Sequence, residues 1–525
     1  MKVELYDTTL RDGAQTQGIS FSVADKVRIC EKLDGLGIHY IEGGWPGANP
    51  KDIEFFKRAK KLKLKNARLV AFGSTRKANT KAQSDATIKG LLASQVSVIT
   101  IFGKTWDLHV REVLKTTLEE NLLMIEDSVA HLKSKGKFTI FDAEHFFDGY
   151  KENPEYALKA VSAAEKGGAD RIVLCDTNGG TLTSRVFEIV EEVKNKIKKP
   201  LGIHAHNDCD MAVANTLAAV QAGCAQVQGT MNGYGERCGN ANLISIIANL
   251  KLKFGINCVS DIQLKELTEA AHYIAETCNM RVSDNQPFVG NSAFAHKAGI
   301  HINAIVKNPK TYEHIDPANV GQRRMLLISE LSGKSSILKK AAEIDLKLEK
   351  DAPRTKKILK ALQDLEHKGY HFEVAEASLE LFMKKAIKNL KEFFHLLEFR
   401  VIVEKRPDGK IISEATIKLK VGGKMEHTAS LGDGPVNALD SALRKALVDF
   451  YPSLNEMHLT DFKVRVLDEK AGTAANVRVL IQSQDKTDSW WTIGVSENII
   501  EASWQALVDS VEYKLLKDSE RGTSP

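Results

Sequence analysis

The chain has little of what would mark a secreted, membrane-bound or nucleic-acid-binding protein. Cysteine is scarce: Cys30, Cys175, Cys209, Cys224, Cys238, Cys258 and Cys278 are the only seven in 525 residues. The number is odd, no two form a C-x-x-C pair, and none follows Cys278, so neither a disulfide framework nor a zinc-ribbon spacing is present. No apolar run reaches the roughly 20 residues of a membrane helix, and the first residues enter a strand-like segment without an apolar leader. An excess of one charge is lacking too. The 73 basic residues against 68 acidic ones leave +5, too little to argue for a nucleic-acid surface. The one dense basic run, Lys57 to Lys65, reads as a solvated helix face. The expectation is a cytoplasmic protein with reduced thiols that binds neither membrane nor nucleic acid.

A length of 525 residues exceeds one hydrophobic core, so two or three domains are expected. From Met1, short apolar runs alternate with longer amphipathic stretches. Strand candidates are Val3–Tyr6, Tyr40–Glu42, Arg68–Phe72, Val96–Phe102, Phe138–Phe141, Arg171–Cys175, Leu201–Ala205 and Ala225–Gly229. Helical stretches such as Ala24–Leu36, Leu118–Leu132, Pro154–Lys166, Ser184–Ile197 and Met211–Ala222 lie between them. Eight strand-helix units in about 250 residues make a (β/α)8 TIM barrel, an α/β fold. An open doubly wound sheet would carry a glycine-rich phosphate loop after its first strand. Thr8-Thr9-Leu10-Arg11-Asp12-Gly13 is not one.

A barrel collects its site at the C-terminal ends of its strands. There the seventh candidate runs Gly202-Ile203-His204-Ala205-His206-Asn207-Asp208. Strand alternation puts His204 and His206 on one face, and neutral imidazoles are good ligands for first-row divalent ions. Two hydrogen-bonded strand histidines would give the same pattern. The other strand ends add Asp7, Arg11, Asp12 and Gln15, then Glu42, then Asp142, Glu144 and His145, then Asp176, Thr177 and Asn178. After the eighth come Asn232 to Arg237 and Asn240. Asp12 with His204 and His206 would form a two-histidine, one-carboxylate metal site with positions left for water and substrate oxygens. Taken alone, Arg11 and Asp12 could be a surface ion pair and Glu144 a helix cap.

These residues sit in longer motifs. Asp7-Thr8-Thr9-Leu10-Arg11-Asp12-Gly13-Ala14-Gln15, His204-Ala205-His206-Asn207-Asp208 and Gly233-Tyr234-Gly235-Glu236-Arg237-Cys238-Gly239-Asn240 resemble, in order, the signatures of a superfamily of barrel metallolyases. That superfamily includes isopropylmalate, homocitrate and citramalate synthases. The resemblance continues through Ala295-His296-Lys297-Ala298-Gly299-Ile300-His301 to Tyr312 and into a C-terminal regulatory domain. Three segments are similar to the second, divergent citramalate synthase subgroup: Phe72 to Arg76, Phe102 to His109 and Asp142 to Gly149. The resemblance implies condensation of acetyl-CoA with a 2-oxo acid, followed by thioester hydrolysis. It implies a divalent ion (Mg, Mn or Zn) on Asp12, His204 and His206, with Asn240 near or in the shell. Arg11 would stabilise the oxygen that gains charge, Thr177 would bind the substrate carboxylate, and Glu144 would manage the acetyl-methyl proton. His301 and Tyr312 would act at the thioester, and Glu42, Glu236 and Arg237 could be supports only. Bulky Phe72 and Phe102, with Trp106 nearby, point to pyruvate, provided that alternation turns them inward.

The division implied is a barrel over 1–275, helical lid and connector subdomains over 276–395, and an α+β regulatory domain over 396–525. Pro287–His301 has few regular features, and Lys307–Arg324 reads as connector. Gly333 to Ser336 is expected to cap a helix through Ile337–Ala342, and Lys356–Lys368 and Ala375–Leu390 read as further helices. Then come a hairpin of Phe399–Glu404 with Ile411–Val421, helix Val436–Phe450, strands Asp461–Leu467, Asn476–Gln482 and Trp490–Val495, and helix Ile499–Tyr513. Gly432, Gly434, Pro435 and Asn437 form a glycine loop entering a helix, a place suited to an α-carboxylate. By resemblance the effector there is an amino acid, isoleucine, towards which a product made from pyruvate leads; a homodimer is implied as well. Against this stand a barrel metallohydrolase, which carries its His-x-His pair on the first strand, and a sister lyase that cleaves the same bond.

Overall fold

A computed structural model of the chain describes residues 2–47, 49–326, 341–342, 344, 352–372, 374–388, 392–467 and 475–522. It divides into two compact units, Met1–Phe294 with His314–Arg324, and Ala295–Glu313 with Met325–Pro525.

In the first unit eight strands close into a parallel barrel: β1 (Glu4–Asp7), β2 (Tyr40–Gly44), β3 (Arg68–Ser74), β4 (Val98–Lys104), β5 (Phe138–Glu144), β6 (Arg171–Asp176), β7 (Leu201–Ala205) and β8 (Gln226–Gly229). β8 pairs with β1, Leu5 beside Val227. Alternation sorts the side chains into two cores. Tyr6, Tyr40, Val70, Val98, Ile140, Val173 and Cys175 form one cluster. Their neighbours of opposite parity, such as Leu5, Ile41, Ala71, Ile99, Phe141, Leu174 and Ile203, belong to the larger cluster shared with the helices. Helix Val23–Gly35 shows how that layer is built. Ser22 caps it reciprocally with Asp25, and Ile29, Cys30 and Leu33 are buried on one face. Burying each large aliphatic there contributes roughly 1.5–3 kcal/mol.

Several strands run further than expected. β3, β4 and β5 end at Ser74, Lys104 and Glu144 rather than at their last apolar residue. The ladder continues because Phe102, Gly103 and Lys104 still pair with Asp142, Ala143 and Glu144. Ladder bonds are made by backbone, so the polar side chains of a barrel mouth do not stop them. Helices Pro50–Ala59, Ala86–Ala93 and Phe146–Glu152 were not among the stretches anticipated. The run Lys57 to Lys65 is not one helix face: the helix stops at Ala59, and the rest leads to β3.

In the second unit β9 (Ala295–His296) and β10 (Met325–Leu326) form a short parallel pair. Helix Gly299–Lys307 carries His301, in a stretch read as irregular up to that residue. Its start is hidden in the sequence because Ala298 supplies no capping side chain. Helices Pro353–His367 and Glu376–Lys388 follow. The Gly333–Ser336 turn lies outside the described residues, as does the helix expected after it except for Ala341 and Ala342.

The C-terminal part is a repeat of three antiparallel strands and a helix. β11 (Phe394–Lys405), β12 (Ile411–Val421) and β13 (Lys424–Gly432) pack on helix Pro435–Leu447. β14 (His458–Val466), β15 (Val477–Gln484) and β16 (Ser489–Ser496) pack on helix Ile499–Glu520. β13 was not anticipated, because its sequence KMEHTASLG is polar and half exposed. Among the described residues no helix is long and apolar enough to cross a membrane.

Candidate active site

The inward face of the barrel rises from apolar to polar along each strand, and the upper residues line a cavity of about 270 Å³. Its wall holds Arg11, Asp12, Gln15, Phe72, Phe102, Asp142, Glu144, Thr177, His204, His206, Glu236 and Arg237, which the sequence had assigned to one mouth or one motif set. Trp45, at the end of β2, and Cys175 complete it.

Arg11 is the hub. Its Nε donates to Glu42 Oε1 at 2.5 Å, one Nη donates to Asp12, and the guanidinium lies 3.8 Å above the Phe72 ring. Asp12 and Glu42 are buried, so this is no surface ion pair. Below it Tyr6 donates to Glu42 Oε2 at 2.5 Å and meets Thr100 Oγ1 at 2.8 Å. Burial works against charge on both carboxyls. At Asp12 the Arg11 charge, helped by His204 and His206, wins and holds the pKa below the ordinary range. At Glu42 burial prevails over Arg11, with the Asp12 charge acting in the same direction, and raises it.

His204 and His206 leave β7 on the same face, their Nε2 atoms 3.4 Å apart. His204 Nε2 is 3.7 Å from Asp12 Oδ2. Asn240 Nδ2 lies 3.2 Å from His204 Nε2 and 3.4 Å from Asp12 Oδ2. Burial depresses both imidazoles, with His204 also pushing His206, which falls to about 3. A single N–H···N bond can join the two rings, and with both Nε2 lone pairs bare the same two nitrogens can instead share a cation.

Among the described residues no three His, Cys, Asp or Glu side chains close on one point. The donor set still fits a divalent cation once Asn240 is counted. Its Oδ1 is buried without a partner, as is His206 Nδ1, and turning the amide over would bring that oxygen to the side of Asp12 and His204 that Nδ2 now faces. Two imidazoles, a carboxylate and an amide oxygen are a hard-to-borderline set that does not choose between Mg, Mn and Zn.

The aromatic wall stands opposite. Phe72 and Phe102 are stacked at 5.5 Å, and Trp45 meets their edges at 6.1 and 5.8 Å. Both phenylalanines face inward, as alternation required. Glu144 pairs with Lys104 across the β4–β5 ladder. Thr177 Oγ1 accepts a hydrogen bond from His145 N at 2.8 Å, which leaves its proton free to be donated. His145 adopts φ 56°, a left-handed conformation rare outside glycine. Arg237 donates to Asp208 at 2.7 Å and to Thr177 O at 2.7 Å, so it supports the rim.

Two acids of the expected mouth face elsewhere. Asp7 is fully buried and accepts from Thr9 N and Thr9 Oγ1, and Asp176 accepts from Thr181. His301 and Tyr312 belong to the second unit, where their exposed rings stack at 4.1 Å.

With this geometry in hand, comparison with known proteins is decisive. The HMGL-like family model matches residues 2–274. The chain is 57% identical over 523 residues to the (R)-citramalate synthase of Aquifex aeolicus (strain VF5), covering 99% of each chain. The chain belongs to the citramalate synthase branch of the HMGL-like family. The (R)-citramalate synthase of Geobacter sulfurreducens is 56% identical, covering 99% of this chain and 98% of its own. More distant is the 2-isopropylmalate synthase of Methanocaldococcus jannaschii, at 30% over 98% and 95%. A homocitrate synthase post-HMGL domain-like model matches residues 288–369, and a LeuA allosteric (dimerisation) domain matches 373–515.

Within this branch, two cavity residues, Trp45 and Cys175, and two partners of cavity residues, Lys104 and Gln228, were not singled out from the sequence. Trp45 follows Gly43-Gly44, where a tight strand end turns the next side chain into the mouth; an aromatic after a glycine pair was the available signal. Lys104 lies two residues beyond Phe102, hence on the same face. Cys175 and Gln228 lie on strands β6 and β8, but neither stood out by residue type.

Proposed function

We infer that this chain is an acetyl-CoA-dependent 2-oxo acid synthase that condenses acetyl-CoA with pyruvate and hydrolyses the thioester to give (R)-citramalate. The observation that carries the reading is the near-full-length identity to (R)-citramalate synthases. The closed aromatic wall supports the choice of an oxo acid whose side chain is no more than a methyl group. Trp45, Phe72 and Phe102 fill the space a branched side chain would need, and overpacking costs about 1–3 kcal/mol.

Asp12, His204, His206 and Asn240 are the residues that would hold a divalent cation, whose contribution is Lewis-acid polarisation of the oxo-acid carbonyl. Arg11 supplies fixed positive charge. Two carboxylates and the Phe72 face hold its guanidinium in place before substrate arrives, so no reorganisation is needed as charge develops on the carbonyl oxygen. Thr177 keeps a proton to donate to the oxo-acid carboxylate. Glu144, ion-paired with Lys104 in the cavity wall, takes the acetyl-methyl proton directly or through water. The acid and donor roles of His301 and Tyr312 at the thioester rest on motif resemblance.

The LeuA-type domain makes oligomerisation and allosteric control part of the proposal, as a homodimer answering to isoleucine. Its candidate site is the turn from β13 into helix Pro435–Leu447. Gly432 closes the strand so tightly that a Cβ would lie 2.3 Å from Ala438 N. Gly434 is the cap residue without a capping side chain, Pro435 opens the helix, and Asn437 accepts from Asp433 N at 3.1 Å. Val436 and Asn437 also border a cavity of about 730 Å³ beneath the helix. Free-thiol release from acetyl-CoA against pyruvate, 2-oxobutyrate, 2-oxoisovalerate and 2-oxoglutarate tests the reading. Pyruvate is expected to give the highest kcat/KM, and a preference for 2-oxoisovalerate overturns it.

A further inference from the structure

His204 presents Nε2 to His206 and Asp12, and its Nδ1 lies 2.9 Å from Gln228 Oε1. Gln228 Nε2 in turn donates to Asp142 Oδ1 at 3.0 Å. The three side chains are 6, 0 and 3% exposed, so water does not compete for these bonds. An amide oxygen can only accept and an amide NH2 can only donate. With its NH2 committed to Asp142, Gln228 turns its oxygen to His204, and the imidazole proton must then sit on Nδ1. That leaves Nε2 a bare lone pair. Without the chain the proton is free to move to Nε2, where it blocks ligation.

We propose that Gln228, oriented by Asp142, is a positioning residue that fixes the tautomer of His204 and thereby sets the divalent-cation affinity of the cavity. This rests on reading His204 as a metal ligand. The oxo-acid cavity and the ligand pair are linked through it, because Asp142 lies in the cavity wall while Gln228 stands behind the histidine.

The test measures Mn2+ binding to the full chain by equilibrium dialysis, together with 15N spectra of the histidine rings after chelation. Gln228→Leu removes the acceptor, and its Mn2+ dissociation constant should rise roughly 10–100-fold, with the Nδ1–H signal of His204 giving way to a mixture of tautomers. Gln228→Glu can still accept from Nδ1 and should restore affinity to within about threefold of the parent, the range expected when a partner's acceptor is kept. If Gln228→Leu does not fold, Asp142→Val carries the same test, because it frees the amide to turn over. The proposal is overturned if Gln228→Leu keeps both the parent's Mn2+ affinity and its Nδ1–H tautomer. A lower thermal midpoint after chelation with unchanged affinity overturns it equally, since that is a purely structural role. His204→Ala is the control: parent-like Mn2+ binding by that variant defeats the ligand reading itself, and the inference with it.

Discussion

Phe102 is the residue on which substrate size should turn. Its ring lines the 270 Å³ cavity and also a neighbouring cavity of about 410 Å³ that includes Ser74, Arg76, Lys104, Val113 and Met124. Phe102→Ala therefore removes a partition as well as the ring that fills the space, and the two cavities should join. The gain for a branched oxo acid follows from two terms. Relief of overpacking is worth about 1–3 kcal/mol. The isopropyl group of 2-oxoisovalerate carries two more carbons than the methyl of pyruvate, and burying them adds about 1.6 kcal/mol. Together these make roughly 2.6–4.6 kcal/mol, a shift of about 10²–10³ or more in the ratio of kcat/KM values at 1.36 kcal/mol per decade. Pyruvate should lose ground as well, because Phe72 and Trp45 lose a ring neighbour worth about 0.5–1.5 kcal/mol per pair. Phe102 is only part-buried, so the substitution should cost less than the 3–5 kcal/mol or so of a sealed core position. The assay is thiol release with both oxo acids on protein shown to be folded by its thermal midpoint. A ratio within threefold of the parent would refute the claim that this wall selects the substrate.

Other outcomes follow from the same geometry. His204→Ala should abolish turnover and lose the response to added divalent ion while melting like the chelated parent; full turnover by exhaustively chelated protein would sink the metal reading. Asp7, raised to about 7 by burial with its Thr9 bonds and Glu42 as smaller influences, holds a proton in the fold that the unfolded chain releases near 4. Its contribution is therefore fully present below pH 4 and is lost as pH rises to 7, by an amount on the order of 4 kcal/mol. Asp7→Asn should flatten the fall in thermal stability between pH 5 and 7, and an unchanged slope would show that another group carries it. Isoleucine at millimolar concentration should inhibit, and substrates should weaken its binding in return. Gly432→Ala, which forces a clash with Ala438 N, should abolish that inhibition in an activity titration, and parent-like sensitivity would move the effector site elsewhere.

The repeating unit of the barrel was legible because period-two and period-3.6 patterns are local, and each strand-helix unit repeats them. The ligand pair was legible for the same reason: residues two apart on a strand share a face. Asp12, Arg11, His204 and Asn240 could be named from long motifs, yet nothing local says that Asn240 returns from beyond β8 to stand 3.2 Å from His204. Backbone pairing of that segment with the end of β7 decides it, through a bridge of Asn240 to His206 and the bond from Ala241 N to Ala205 O at 2.9 Å. Asp7, which polarity alone had placed in the mouth, has the opposite parity to inward-facing Tyr6 and bonds locally to Thr9 instead. Gln228 and Thr100 read as ordinary strand residues, and only the barrel interior, where water is absent, makes their hydrogen bonds obligatory. β13 escaped because an edge strand with one wet face needs few apolar residues, so its pairing partner rather than its own composition holds it. Residue spacing thus settled which side chains share a face of one element. Which faces meet was settled by the closed ladder and the buried polar groups that had to find partners inside it.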